Sequence, residues 1–180
     1  MQPRTLIPAS RIRRRVRELG RAITRAYAGR DPLMLALMDG ALCFAADLAR
    51  EIELPGLELS FLRVRSYRGT RGGPPVIGQV PDLVGEHVLV VDDILDSGRT
   101  LAQVVKAVEA AGAESIGVCV ALDKPARRVP EGLPRADWVG FTIPDSFVVG
   151  YGLDLDGRWR HLKDVCTVEA LDPASAPEPS

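Results

Sequence analysis

The stretch Val88-Leu89-Val90-Val91-Asp92-Asp93-Ile94-Leu95-Asp96-Ser97-Gly98-Arg99-Thr100 constrains this chain more than any other. The apolar, valine-rich run from Val88 to Val91 reads as a strand buried on both faces, the habit of parallel sheets covered by helices. It leads into two acids and a small-residue turn. A segment from Gly98 to Ala111 follows, with Leu101, Val104, Val105 and Val108 at helical spacing, and Gly112 ends it. In open parallel sheets ligands bind beyond the carboxyl ends of the strands, so the acids stand where a ligand would stand. The start of a helix offers unpaired N–H groups and partial positive charge, which suits phosphate. Gly98 lets the backbone approach closely, and Ser97 and Thr100 add hydroxyl donors. Asp92 and Asp93 can accept hydrogen bonds from a vicinal diol such as ribose, or hold magnesium, a hard cation that prefers oxygen. One segment can thus bind a phosphate and a ribose together.

Plainer readings compete. Asp96 or Ser97 as a simple helix cap explains the turn but not three acids around an anion site. Asp92 to Asp96 also fits the DDxxD metal pattern of prenyl-diphosphate synthases, but that pattern sits on helices and here a strand precedes it. Neither GxGxxG nor GxxxxGK[ST] occurs.

The rest of the chain alternates strands and helices, so an α/β fold with a mostly parallel sheet flanked by helices is expected. Ser10 is placed to cap a helix that carries Ile12, Val16, Leu19, Ile23 and Ala26 on one face. The run Arg13-Arg14-Arg15 reads as the solvated face of that helix rather than an RNA-binding strip. Leu33 to Met38 reads as a buried strand, Asp39-Gly40 as a turn, Ala41 to Glu51 as a helix and Leu57 to Arg65 as a strand. Gly and Pro between Arg68 and Pro75 exclude a regular element and suggest a mobile loop, after which Val76 to Val80 reads as a strand. Ile116 to Leu122 is another buried strand, and Trp138 to Phe141 and Phe147 to Val149 are shorter ones. Residues from Arg127 to Tyr151 are expected to form a small hood over the sheet edge and the active site.

A chain of 180 residues with net charge -1 exerts no global pull on nucleic acid. Cys43, Cys119 and Cys166 are far apart and without a CxxC pair, which argues against zinc and for reduced thiols in the cytoplasm. No apolar run reaches a membrane span, and the start Met1 to Ser10 lacks a signal-peptide core. The expected organisation is one domain over residues 1–170 and a disordered tail over 171–180.

The central segment resembles the phosphoribosyl pyrophosphate (PRPP) motif of the type I phosphoribosyltransferase family, and the chain from Leu33 to Val168 resembles its hypoxanthine-guanine branch, in bacterial form. That resemblance implies purine salvage. Asp92 and Asp93 would bind the ribose hydroxyls, Asp96, Ser97, Gly98, Arg99 and Thr100 would cradle the 5′-phosphate, and Asp96 would be the candidate general base. Lys124, in Leu122-Asp123-Lys124-Pro125, would contact the oxygen at C6 of a 6-oxopurine, although a lone lysine beside a turn is more often a surface residue. Phe147 would stack on the purine and the backbone at Val148 would read its edge. By residue type alone, core packing is the commoner role of a phenylalanine. Asp154 would bind magnesium, and with Asp156 it also resembles a fragment of a calcium loop whose other ligands are missing. Arg160 would bind pyrophosphate, as would Arg63 and Arg65 near a closing loop that contains Ser66 and Tyr67. The loop touching pyrophosphate reads Met38-Asp39-Gly40 where the family often has Leu-Lys-Gly. An acid at Asp39 would repel pyrophosphate unless magnesium or an arginine intervenes. A homodimer or homotetramer is implied, with no nucleic-acid or membrane partner. A xanthine or pyrimidine phosphoribosyltransferase, or a non-catalytic PRPP sensor, are the alternatives.

Overall fold

The computed structural model describes residues 2–65 and 76–168. The loop expected over Arg68 to Pro75, the residues Ser66 and Tyr67, and the tail over 171–180 lie outside the described residues.

The chain begins with strand β1 (Arg4–Ile7) and helix α1 (Ala9–Ala26), which buries Ile12, Val16, Leu19 and Ile23. Ala26 is exposed, and the next residue, Tyr27, is buried in its place. Ser10 is not the cap. The helix starts from Pro8, which has no side-chain donor or acceptor, and the free N–H of Ala9 donates to the carboxylate of Asp164 at 2.8 Å. Arg13 and Arg14 face solvent as expected. Arg15 is half-buried: it pairs with Glu18 at 2.9 Å and donates to the carbonyls of Val139 (2.8 Å) and Gly140 (2.9 Å).

Six strands form the main sheet: β2 (Pro32–Met38), β3 (Glu58–Arg65), β4 (Val76–Ile77), β5 (His87–Leu95), β6 (Ser115–Asp123) and β7 (Trp138–Thr142), in the order β4-β3-β2-β5-β6-β7. Every pairing is parallel except β3 with the two-residue β4. Arg15 therefore ties α1 to the edge strand β7.

The alternation of each central strand explains its unbroken apolar run. Met34, Ala36, Leu89, Val91, Cys119 and Ala121 pack with α1 and with α2 (Leu42–Ala49). Leu35, Leu37, Val88, Val90, Val118 and Val120 pack with the helix α3 (Arg99–Ala110). Each buried Val, Leu or Met among them contributes about 1.5–3 kcal/mol.

Two expectations need correction. β5 does not end at Val91. Its ladder with β6 continues through Asp92↔Val120 and Leu95↔Asp123, so Asp92 and Asp93 are strand residues held by backbone pairing. The small second layer is also built differently from the hood expected over Arg127 to Tyr151. It is an antiparallel sheet in the order β1-β9-β8, in which only β8 (Val148–Val149) comes from that stretch and β9 is Val165–Thr167. Phe147 lies just outside β8.

Candidate active site

A cleft of about 1010 Å³ opens at the carboxyl ends of β2, β5 and β6. At its centre the turn Asp96-Ser97-Gly98 leads into α3. Gly98 takes the left-handed conformation (φ +83°), where a side chain would be strained. A Cβ there would also stand 2.6 Å from the carbonyl oxygen of Leu133. The chain's own backbone thus packs closely against Gly98. Leu133 N–H donates to the Gly98 carbonyl at 2.9 Å and Val129 N–H to the Ser97 carbonyl at 3.2 Å. No side chain caps α3. The Ser97 hydroxyl accepts from Arg99 N–H at 3.4 Å, and Thr100 lines the cleft.

The acid pair precedes this turn. Asp92 is buried, and its carboxylate accepts the N–H of Asp93 at 2.9 Å. Burial first, and then the charge of Asp93, push the Asp92 carboxyl well above the ordinary range. The Asp93 carboxylate presses on the turn after β2, where a Cβ at Gly40 would stand 1.9 Å from Asp93 Oδ2. The Met38–Asp39 peptide is cis. Arg63 pairs with the Asp39 carboxylate at 3.4 Å, both side chains exposed.

Lys124 opens the far side of the cleft, and it is buried (7% exposed), which excludes the surface-lysine reading. Its N–H donates to the Leu95 carbonyl at 3.0 Å. Phe147 lines the same cleft at 48% exposure, too open for a core residue, whereas Val148 is buried. Asp96 Oδ1 is buried and accepts no hydrogen bond. Arg127 Nε is 3.3 Å away as an ion-pair partner, and Arg127 also reaches Asp145 at 3.7 Å.

Asp154 and Arg160 come from a hairpin with Asp156 and Gly157 at its tip, both at positive φ. Asp154 is buried. One of its oxygens pairs with Arg160 at 3.0 Å, and the other accepts Gly157 N–H at 2.7 Å. Arg160 also donates to the Gly152 carbonyl at 2.6 Å. Among the described residues no three His, Cys, Asp or Glu cluster into a ready-made metal centre. Asp154, Asp92 and Asp93 all line the cleft with oxygen donors. One or two carboxylates completed by substrate phosphates is how magnesium is commonly held, so these residues fit that ion.

Residues 7–156 match the family described as phosphoribosyl transferase domain. The chain belongs to that family. It is 40% identical over 173 residues to a hypoxanthine phosphoribosyltransferase of Salmonella typhimurium, covering 93% of this chain and 96% of the relative. A crystal structure of a hypoxanthine phosphoribosyltransferase from Staphylococcus aureus superposes with a TM-score of 0.85 at 31% identity, covering 92% of this chain and 90% of that one. The Trypanosoma cruzi hypoxanthine phosphoribosyltransferase in complex with the product IMP gives 0.82 at 31% identity, covering 97% and 96%.

In this phosphoribosyl transferase domain the cleft gathers most of the residues singled out in the sequence: Asp39 and Gly40, Asp92 and Asp93, Asp96 to Gly98, Thr100, Lys124, Phe147 and Val148, Asp154 and Arg160. Arg99 stands apart. Its side chain is exposed and pairs with Glu131 at 3.9 Å, because the first residue of α3 points away from the turn that precedes it. Arg63 reaches the site only through Asp39. The Arg65 side chain, like Ser66 and Tyr67, lies outside the described residues. Arg127, Arg128 and Asp145 were missed. The only sequence signal for the arginines was a basic pair just after Lys124-Pro125.

Proposed function

We propose that this domain is a cytoplasmic purine-salvage enzyme. It transfers the 5-phosphoribosyl group of PRPP to N9 of hypoxanthine or guanine, giving IMP or GMP and pyrophosphate, with magnesium. What carries the reading is one cleft that joins the phosphate-suited turn at Gly98, the acid pair, and a buried lysine with an open phenylalanine. The names of its relatives support the same substrates.

In this reading the turn from Asp96 to Thr100 binds the 5′-phosphate through backbone N–H groups and hydroxyls. Asp92 and Asp93 accept hydrogen bonds from the ribose hydroxyls. Phe147 stacks on the purine and Lys124 donates to its C6 oxygen, an acceptor that adenine lacks. The N9–C1′ bond forms as the bond from C1′ to pyrophosphate breaks. Asp96 accepts the proton that leaves the purine, at N7, and orients the ring. Its Oδ1, buried and without a hydrogen bond, supports that role. Arg160 and Arg63 offset charge on the departing pyrophosphate. Magnesium held by Asp154, with Asp92 and Asp93, would supply further neutralisation of the leaving group. Alignment of the two substrates contributes much of the rate.

Free thiols at Cys43, Cys119 and Cys166 support a reducing compartment. No helix among the described residues is long and apolar enough to cross a membrane. Leu59 and Phe61, 55% and 60% exposed on β3, support a homodimer or homotetramer, which light scattering would measure.

The test is a product assay with PRPP, magnesium and each base. Hypoxanthine and guanine should yield a nucleoside monophosphate with equimolar pyrophosphate, and adenine none. Turnover of xanthine or a pyrimidine alone would replace the substrate assignment. Salt-dependent nucleic-acid binding without turnover of any base would replace the enzyme by a regulator.

A further inference from the structure

Arg128 is almost enclosed, with 14% of its side chain exposed, and does not itself line the cleft. Its guanidinium is shared among three chain segments. Nε donates to the Pro134 carbonyl at 3.1 Å. One terminal nitrogen donates to the carbonyls of Leu95 (3.1 Å) and Asp96, at the end of β5. The other donates to the carboxylate of Asp123, the last residue of β6, which is 17% exposed. Around this fork the Val129 and Leu133 N–H groups hold the carbonyls of Ser97 and Gly98.

The two strand ends carry different parts of the site. Asp96 lies directly after β5 and Lys124 directly after β6. The ladder between the strands stops at Leu95↔Asp123, one residue short of both. One backbone bond, Lys124 N–H to the Leu95 carbonyl, continues past it. Beyond that point a single planar cation grips both ends. A guanidinium can satisfy oxygens in several directions in one plane, whereas the ammonium of a lysine cannot span them.

We infer that Arg128 is a positioning residue that sets Asp96, and the phosphate turn after it, relative to the purine-reading Lys124. The inference rests on the function proposed above. Each half-site keeps its own groups without Arg128, so PRPP and purine still bind, but they meet out of line. Misalignment of reacting partners lowers turnover more than the affinity for either.

The experiment measures kcat, both KM values and Tm for the full chain with Arg128→Lys, beside Asp123→Asn. In Arg128→Lys, kcat should fall about 10²-fold. KM for PRPP and for hypoxanthine should stay within about threefold, with Tm close to the parent's because a cation still meets Asp123. In Asp123→Asn the fork keeps its three carbonyl partners, so the loss of kcat should stay below about tenfold. The inference is overturned if Arg128→Lys keeps parental kcat, if only KM changes, or if the lost kcat returns on cooling the assay in step with Tm. It is overturned as well if Asp123→Asn loses as much as Arg128→Lys. Turnover of the parent chain tests the proposed reaction, and the ratio of variant to parent tests Arg128.

Discussion

Asp96, Lys124 and Gly98 each owe their setting to one local fact that a substitution can remove. Asp96 Oδ1 is buried without a hydrogen bond, 3.3 Å from Arg127 Nε, and the proposed mechanism makes Asp96 the proton acceptor. Asp96→Asn should lower kcat by roughly 10²-fold or more, the usual worth of general acid–base catalysis, while KM for PRPP changes little. Equal losses in both would mean that the side chain only shapes the turn. Lys124 is a buried cation. Lys124→Ala should raise KM for hypoxanthine roughly 10- to 100-fold, the range of a lost charged hydrogen bond, and let adenine compete. Unchanged hypoxanthine kinetics with adenine still excluded would refute the assignment. Gly98 was legible in sequence as a turn glycine, but its partner was not. The backbone of Leu133 lies against it, thirty-five positions on, where no local pattern points to it.

At the scale of elements, the strands and helices whose own periodicity sets their burial were readable in advance. β2, β5, β6 and α3 carry the apolar runs and spacings that build the two core layers. β1 and β9 were not readable, because three- and four-residue strands exist only through pairing across the length of the chain. The start of α1 was misassigned for the same reason. Its negative cap is Asp164, which accepts from Ala9 N–H at 2.8 Å and from the Thr5 hydroxyl at 3.0 Å, and the first turn of α1 holds no acid of its own. Asp164→Ala should therefore cost about 1 kcal/mol and lower Tm by roughly 2–5 °C, read by calorimetry. Thr5→Val, which removes one of the two bonds, should cost less. A Tm unchanged in Asp164→Ala would show that the helix start is held by packing alone.

For the molecule as a whole, the layer under α1 and α2 couples stability to alkaline pH. Tyr27 is buried there, with its hydroxyl donating to the Val88 carbonyl at 3.3 Å and its ring 6.1 Å from that of Trp138. Burial first, and then the charge of Asp137, push its phenol up to about 12, against the opposing charge of Arg30. A folded-state value above the unfolded one means that the fold favours the neutral phenol. This stabilisation is complete below about pH 10, the unfolded value, and is lost as pH rises through about 12. Denaturant midpoints should fall across that window in the parent chain and fall less steeply in Tyr27→Phe. Identical slopes would show that Tyr27 does not carry the effect.

The sequence by itself determined the layered α/β plan and the chemistry of the strand–acid–turn–helix segment. Strand and helix periodicities, and the meeting of acids with a helix start, are properties of neighbouring residues. Tertiary structure alone decided that Lys124 is buried, that Phe147 is open to the cleft, that Arg99 turns away and that Arg128 clasps two strand ends. Residue type does not fix burial or direction. These depend on which distant backbone arrives alongside, and here the connections that return after β6 bring it.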